Sequence, residues 1–118
     1  MKIEDLIDKA NEFGWSAREY NDEWEFSQYS PAGEDFSFCI SKSDAKDLHG
    51  LVRKIRLCAD SFDPEEHAMM WAEAGRNGVG GVPSLFTLVD DAKDLKTMLN
   101  ELASAMENAA SGEKEMRK

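Results

Sequence analysis

The sequence predicts an α+β domain: a three-stranded antiparallel β-meander covered on one face by amphipathic helices, in the order α-β-β-β-α-α-α. Period-two segments are confined to residues 15–40, and apolar residues recur at steps of three and four before and after them. Strands therefore come in a run and helices in another, instead of alternating as a parallel βαβ sheet requires.

The first helix is carried by Ile3, Leu6, Ile7, Ala10 and Phe13, with Gly14 where a left-handed cap belongs. Strand segments Trp15–Tyr20 and Glu23–Tyr29 flank Asn21-Asp22, a turn-forming pair. Trp24 and Phe26 face one way, and Glu25 and Ser27 the other. Pro31-Ala32-Gly33 makes the next loop, and Asp35–Ile40 sets Phe36, Phe38 and Ile40 on a single face. The acids on the opposite face predict that it is wet.

Ser43 is the predicted cap of a second helix reaching about Asp60, with Ala45, Leu48, Val52, Ile55 and Ala59 as its stripe, widened by Leu51 and Cys58. Gly50, which costs roughly 1 kcal/mol against alanine, marks a place where it can break. The stretch 61–88 is the hinge of the chain. Asp63 caps a third helix, Pro64 suits its first position, Glu66 completes a capping box, and Met70 and Trp71 are its residues to bury. Gly75 ends it, and glycines 75, 78, 80 and 81 lead to Pro83. The fourth helix is the clearest: Leu85, Leu88, Val89, Ala92, Leu95, Leu99, Leu102, Met106 and Ala109 keep helical spacing. Residues 1–110 are predicted to form one domain and 111–118 a disordered tail.

Charge is the most informative bulk property. The formal net charge is −10: residues 1–40 carry −7, residues 41–56 carry +3, and residues 57–118 carry −6. Such a field repels nucleic acid and anionic membranes and favours basic partners. Lys46, His49, Arg53 and Arg56 form a positive stripe on the second helix, read as a solvated face that pairs with neighbouring acids. Acids that open the third and fourth helices complement helix dipoles. Asp22, Glu23, Glu25, Glu34 and Asp35, on or between the strands, have no such local reason. They blunt edge pairing, or they imitate a row of phosphates, with Tyr29 as an aromatic anchor beside them.

No reaction can be assembled. Cys39, His49, Cys58 and His67 match a zinc site in number only, because no close Cys or His pair is present. The two cysteines are expected to be reduced and buried. His67 stands one turn from Trp71, the pattern of an edge-of-core histidine. The glycine run with Arg76 lacks the Lys-Ser/Thr pair of a phosphate cradle and reads as a connector. Flanked by Met69, Met70, Trp71 and Phe86, it offers an alternative apolar docking surface. The expectation is a non-enzyme without metal or cofactor. It begins on an acidic amphipathic segment instead of a signal peptide and has no membrane-spanning run.

Tyr29-Ser-Pro-Ala-Gly-Glu-Asp-Phe36, Phe62-Asp-Pro-Glu-Glu-His-Ala-Met-Met-Trp71, Gly81-Val-Pro-Ser84 and the Asp90-Asp91-Ala92 helix resemble small acidic proteins carried by phages and mobile elements of gut bacteria. The resemblance implies a setting, the cytoplasm of a bacterial host, rather than a mechanism. Small acidic proteins of that setting include antirestriction and anti-CRISPR proteins, several of them DNA mimics; the likeness to those is one of size, charge and context. The combined expectation is an acidic inhibitor that occupies the basic nucleic-acid-binding groove of a host defence protein, without binding nucleic acid itself. The alternative is an interaction module or phage accessory subunit using Met70, Trp71, Arg76 and Phe86.

Overall fold

The computed structural model describes residues 2–31, 33–76 and 85–115, with side chains described at 2–31, 33–70 and 87–111. Helix α1 (Ile3–Glu12) leads into strands β1 (Ser16–Glu19), β2 (Glu23–Tyr29) and β3 (Asp35–Ser41). Helices α2 (Leu48–Ser61), α3 (Pro64–Arg76) and α4 (Leu85–Glu115) follow. The strands form one antiparallel sheet in the order β1-β2-β3, so the fold is the α+β arrangement that the sequence predicts.

Period-two alternation decides the two faces of the sheet. Register sets Ala17 opposite Phe26, Phe26 opposite Phe38, and Trp24 opposite Ile40, which puts these side chains on one inner face. Phe26 and Phe38 stack with ring centroids 5.1 Å apart, and Trp15 meets Phe38 edge-on at 5.9 Å. Over this face lie Leu6 and Ala10 of α1, Leu51, Ile55 and Ala59 of α2, and Leu99, Leu102 and Met106 of α4. A second, smaller cluster joins Ala68 of α3 to Leu88 and Ala92 of α4, and Phe62 packs against both clusters. At 31 residues α4 spans roughly 46 Å at 1.5 Å per residue, most of the length of a molecule whose longest extent is 55 Å.

Local chemistry explains most element ends. Gly14 takes φ +99°, a left-handed turn that lets the Trp15 N–H donate back to the Ala10 carbonyl at 3.1 Å. Asp63 Oδ1 accepts the N–H groups of Glu65 and Glu66 at 3.0 and 3.3 Å, the predicted cap of α3. Lys96 of α4 donates to the carbonyls of Ala59 and Phe62 at 2.8 and 2.9 Å, satisfying orphan acceptors at the end of α2.

Four expectations are corrected. Helix α2 starts at Leu48 and is capped by Asp47, whose Oδ1 accepts the Gly50 N–H at 2.7 Å. The Ser43 hydroxyl is instead engaged with that of Ser41, 2.8 Å away. Gly50 is no break. A Cβ there would stand 3.0 Å from the capping oxygen and 3.4 Å from the Ala45 backbone, so glycine admits the close approach of the preceding turn. Met70 is not buried: α3 packs through Ala68, which turns Met69 and Met70 to solvent at 57% and 62% exposure. Finally, α4 continues through residues 111–115 where a disordered tail was expected; residues 116–118, the rest of that tail, lie outside the described residues.

Candidate functional site

Among the described residues the helices pack on the inner face of the sheet. On the other face the register places Arg18 opposite Glu25, Glu25 opposite Cys39, Glu23 opposite Ser41, and Tyr29 opposite Asp35. Ser16, Ser27 and Ser37 complete the face, so between its charges it is small and polar. Same-face residues along a strand lie about 6.8 Å apart. Glu23 and Glu25 therefore stand at about twice the ~3.4 Å rise per phosphate of a single DNA strand.

The Cys39 side chain reports the local field. Hydrogen bonding to Glu23, then burial and the charges of Glu23 and Glu25, push its thiol up to about 11. Glu23 and Glu25 thus act together on one point of the face. Burial likewise pushes the Cys58 thiol up. Both cysteines are free, and Cys39 is exposed, which corrects the expectation of a buried thiol there. The alternation that sends Phe38 and Ile40 inward sends Cys39 outward, so the signal was present in the sequence. Arg18 was missed in the same way; its cation faces Glu25 and tempers the patch.

The predicted acids divide into two groups. Glu23, Glu25 and Asp35 share the outer face, with Tyr29 69% exposed beside Asp35. Asp22 is exposed at the β1–β2 turn, where its carbonyl accepts the Lys42 N–H at 2.9 Å. Glu34 does not join them. Gly33, at φ +93°, lets the loop fold back, and the Glu34 N–H donates to the Ser30 hydroxyl at 2.9 Å. That fold carries the Glu34 carboxylate to His67 Nε2, 2.8 and 2.9 Å from its two oxygens. His67 is packed against Phe36 and Phe62, with centroids 5.6 and 5.1 Å away, and clamps α3 to the β2–β3 loop. It is an edge-of-core histidine, as expected, with phenylalanines and a carboxylate as its observed neighbours.

Two cations of the basic segment are engaged elsewhere than on the acidic face. Arg56 turns onto α4, donating to both Glu107 oxygens at 3.0 and 2.8 Å, to Asn100 Oδ1 at 3.2 Å and to Ser104 Oγ at 3.1 Å. Lys42 pairs with Glu19 at 2.6 Å and lies over the Trp24 ring at 5.5 Å, at the inner-face end of the sheet. Neither reaches Glu23, Glu25 or Asp35.

The alternative surface is only partly described. Met69 and Met70 line an open groove of about 380 Å³ with Asp63, Glu65 and Glu66. The side chains of Trp71, Arg76 and Phe86, and the whole of the 77–84 glycine run, lie outside the described residues. Among the described residues no three His, Cys, Asp or Glu side chains are grouped to hold a metal ion, and no helix is long and apolar enough to cross a membrane. Comparison of the chain with protein-family models, curated proteins and solved structures returns no match.

Proposed function

We propose that this protein is a non-enzymatic binding protein that presents its open sheet face to a basic, nucleic-acid-binding surface of another protein, acting there as a nucleic-acid decoy. The setting suggested by sequence resemblance, a phage or mobile element acting on a host defence protein in the bacterial cytoplasm, belongs to the same proposal. The observation that carries it is the placement of Glu23, Glu25 and Asp35 on the outer sheet face, the first two side by side on β2 and Asp35 toward the other end of β3, while Arg56 and Lys42 are paired with Glu107 and Glu19. A net charge of −10 adds a long-range field that speeds encounter with a basic groove and opposes contact with nucleic acid.

The test is capture of partners from a bacterial lysate at about 50 mM and about 500 mM salt, where the Debye length falls several-fold. The parent and a Glu23→Lys/Glu25→Lys/Asp35→Lys variant are compared, followed by competition with duplex DNA. The expected result is a nucleic-acid-binding protein that is released by salt, displaced by DNA and lost with the variant. Capture indifferent to salt and to charge reversal would refute the decoy reading. It would favour the alternative, an accessory or interaction module that docks through the exposed Met70 together with Trp71, Arg76 and Phe86.

A further inference from the structure

We infer that the free edge of β3 is a docking strand, which takes up an extended basic segment of the partner as a fourth strand of the sheet. The two edges of this sheet are treated differently. At β1 the Asn11 side chain plugs the edge: its Oδ1 accepts the Ala17 N–H at 3.0 Å, and its Nδ2 donates to the carbonyls of Ala17 and Ile7 at 3.4 and 3.0 Å. One side-chain amide thereby does there what a neighbouring strand would do.

Among the described residues no such plug sits on β3. The Lys42 N–H bonds the Asp22 carbonyl, and the β2–β3 register carries that phase along the strand. Phe36, Phe38 and Ile40 therefore direct their backbone groups at β2, while Asp35, Ser37, Cys39 and Ser41 direct theirs away from it. The Ser41 carbonyl is taken by the Asp44 N–H at 3.0 Å. Ser37 and Cys39, both exposed, have no partner for their outward N–H and C=O among the described residues. The usual defences of an edge are missing too: Asp35–Ser41 contains no proline, lysine or bulge.

The flanks of this edge specify its occupant. On the inner side Phe36 and Phe38 are only half-buried and would meet apolar side chains of an added strand. On the outer side Asp35, with Glu23 and Glu25 one strand further in, would meet cationic ones. Strand addition draws affinity from the main chain and specificity from alternate side chains. An extended segment that alternates apolar with Lys or Arg residues satisfies both flanks. A second copy does not, since pairing two β3 edges would join two acidic faces of molecules that each carry −10. The inference rests on the proposed function only for the sign of the partner's charge.

The test uses the full chain and a synthetic peptide of alternating valine and lysine, with a valine–glutamate peptide and a block peptide of the same composition as controls. Amide hydrogen exchange at Ser37 and Cys39 is the primary readout and needs no variant. The alternating basic peptide is expected to slow both amides about ten-fold or more, while the controls leave them unchanged. Ser37→Pro removes one outward N–H without touching a β2 bond and is expected to weaken peptide affinity about ten-fold with an unaltered circular dichroism spectrum. Peptide binding that protects other amides, or that the block peptide or a folded Ser37→Pro variant equals, overturns the inference. So does protection of these amides in the protein alone that grows with its own concentration, which would assign the edge to a second copy. Loss of partner capture on charge reversal together with failure of the peptide would sink the edge and leave the decoy reading standing; the reverse pattern would do the opposite.

Discussion

Glu34 and Glu25 share a charge and a neighbourhood in the sequence, yet the fold gives them opposite tasks. A left-handed Gly33 sends Glu34 to His67, whereas strand alternation leaves Glu25 facing water. Arg56 shows the same logic in the basic population, since it serves α4 instead of a free positive stripe. Hydrogen bonds from Arg56 hold the Glu107 carboxyl below its ordinary value of 4.5, so the folded state favours the charged form. That contribution is fully present above about 4.5, the unfolded value, and is lost as pH falls through the lower folded one. Glu107→Gln is expected to cost about 1 kcal/mol or less near neutrality, because both partners are substantially exposed. Urea midpoints measured from about pH 7 down to about pH 3 should show parent and variant converging as the carboxylate is protonated. A gap that stays constant would show that the ion pair contributes nothing.

At the scale of elements, the ends of α2 are secured by groups that sequence reading assigned differently or did not use. Its start is held by Asp47 and its last carbonyls by Lys96, which lies on α4. Ser43 and Asp47 are both good capping residues a few positions apart, and spacing alone did not choose between them. The geometry does: Gly50, the third residue of the helix, lets Asp47 and the turn at Ala45 approach closely. Asp47→Ala should therefore destabilise the protein by about 1 kcal/mol, while Ser43→Ala, which breaks only an exposed hydroxyl contact, should change it by less than about 0.5 kcal/mol. Equilibrium unfolding of the two variants checks the assignment. Equal costs would restore Ser43 as the helix start.

For the whole molecule, α4 is the spine shared by two unequal cores. Among the described residues, seventeen buried ones form the main cluster over the sheet, and a separate cluster of three joins α3 to the start of α4. Because the α3 cluster is separate from the sheet core, α3 is expected to open without the rest. Native-state hydrogen exchange is expected to give its amides an opening free energy clearly below that of α2, whose Leu51, Ile55 and Ala59 are fully buried. Identical values for the two helices would mean that the chain unfolds as one unit. A folded sheet beneath a looser α3 would keep the acidic face and the β3 edge intact while the methionine surface moves.

The number, order and type of elements were readable because periodicity is local: a backbone that turns every 3.6 residues or alternates every two fixes which side chains point together. The same rule assigned Phe26, Ile40 and Leu102 to the core and Glu23, Glu25 and Asp35 to a wet face. It could also have turned Cys39 outward. What the sequence could not contain was the choice among partners far apart along the chain. Glu34 meeting His67, Arg56 meeting Glu107, Lys96 closing α2 and Asn11 sealing β1 are settled only when packing brings each group within hydrogen-bond reach of a partner. Those pairings decide which charges remain exposed on the surface and which strand edge is left open, and the proposed binding rests on both.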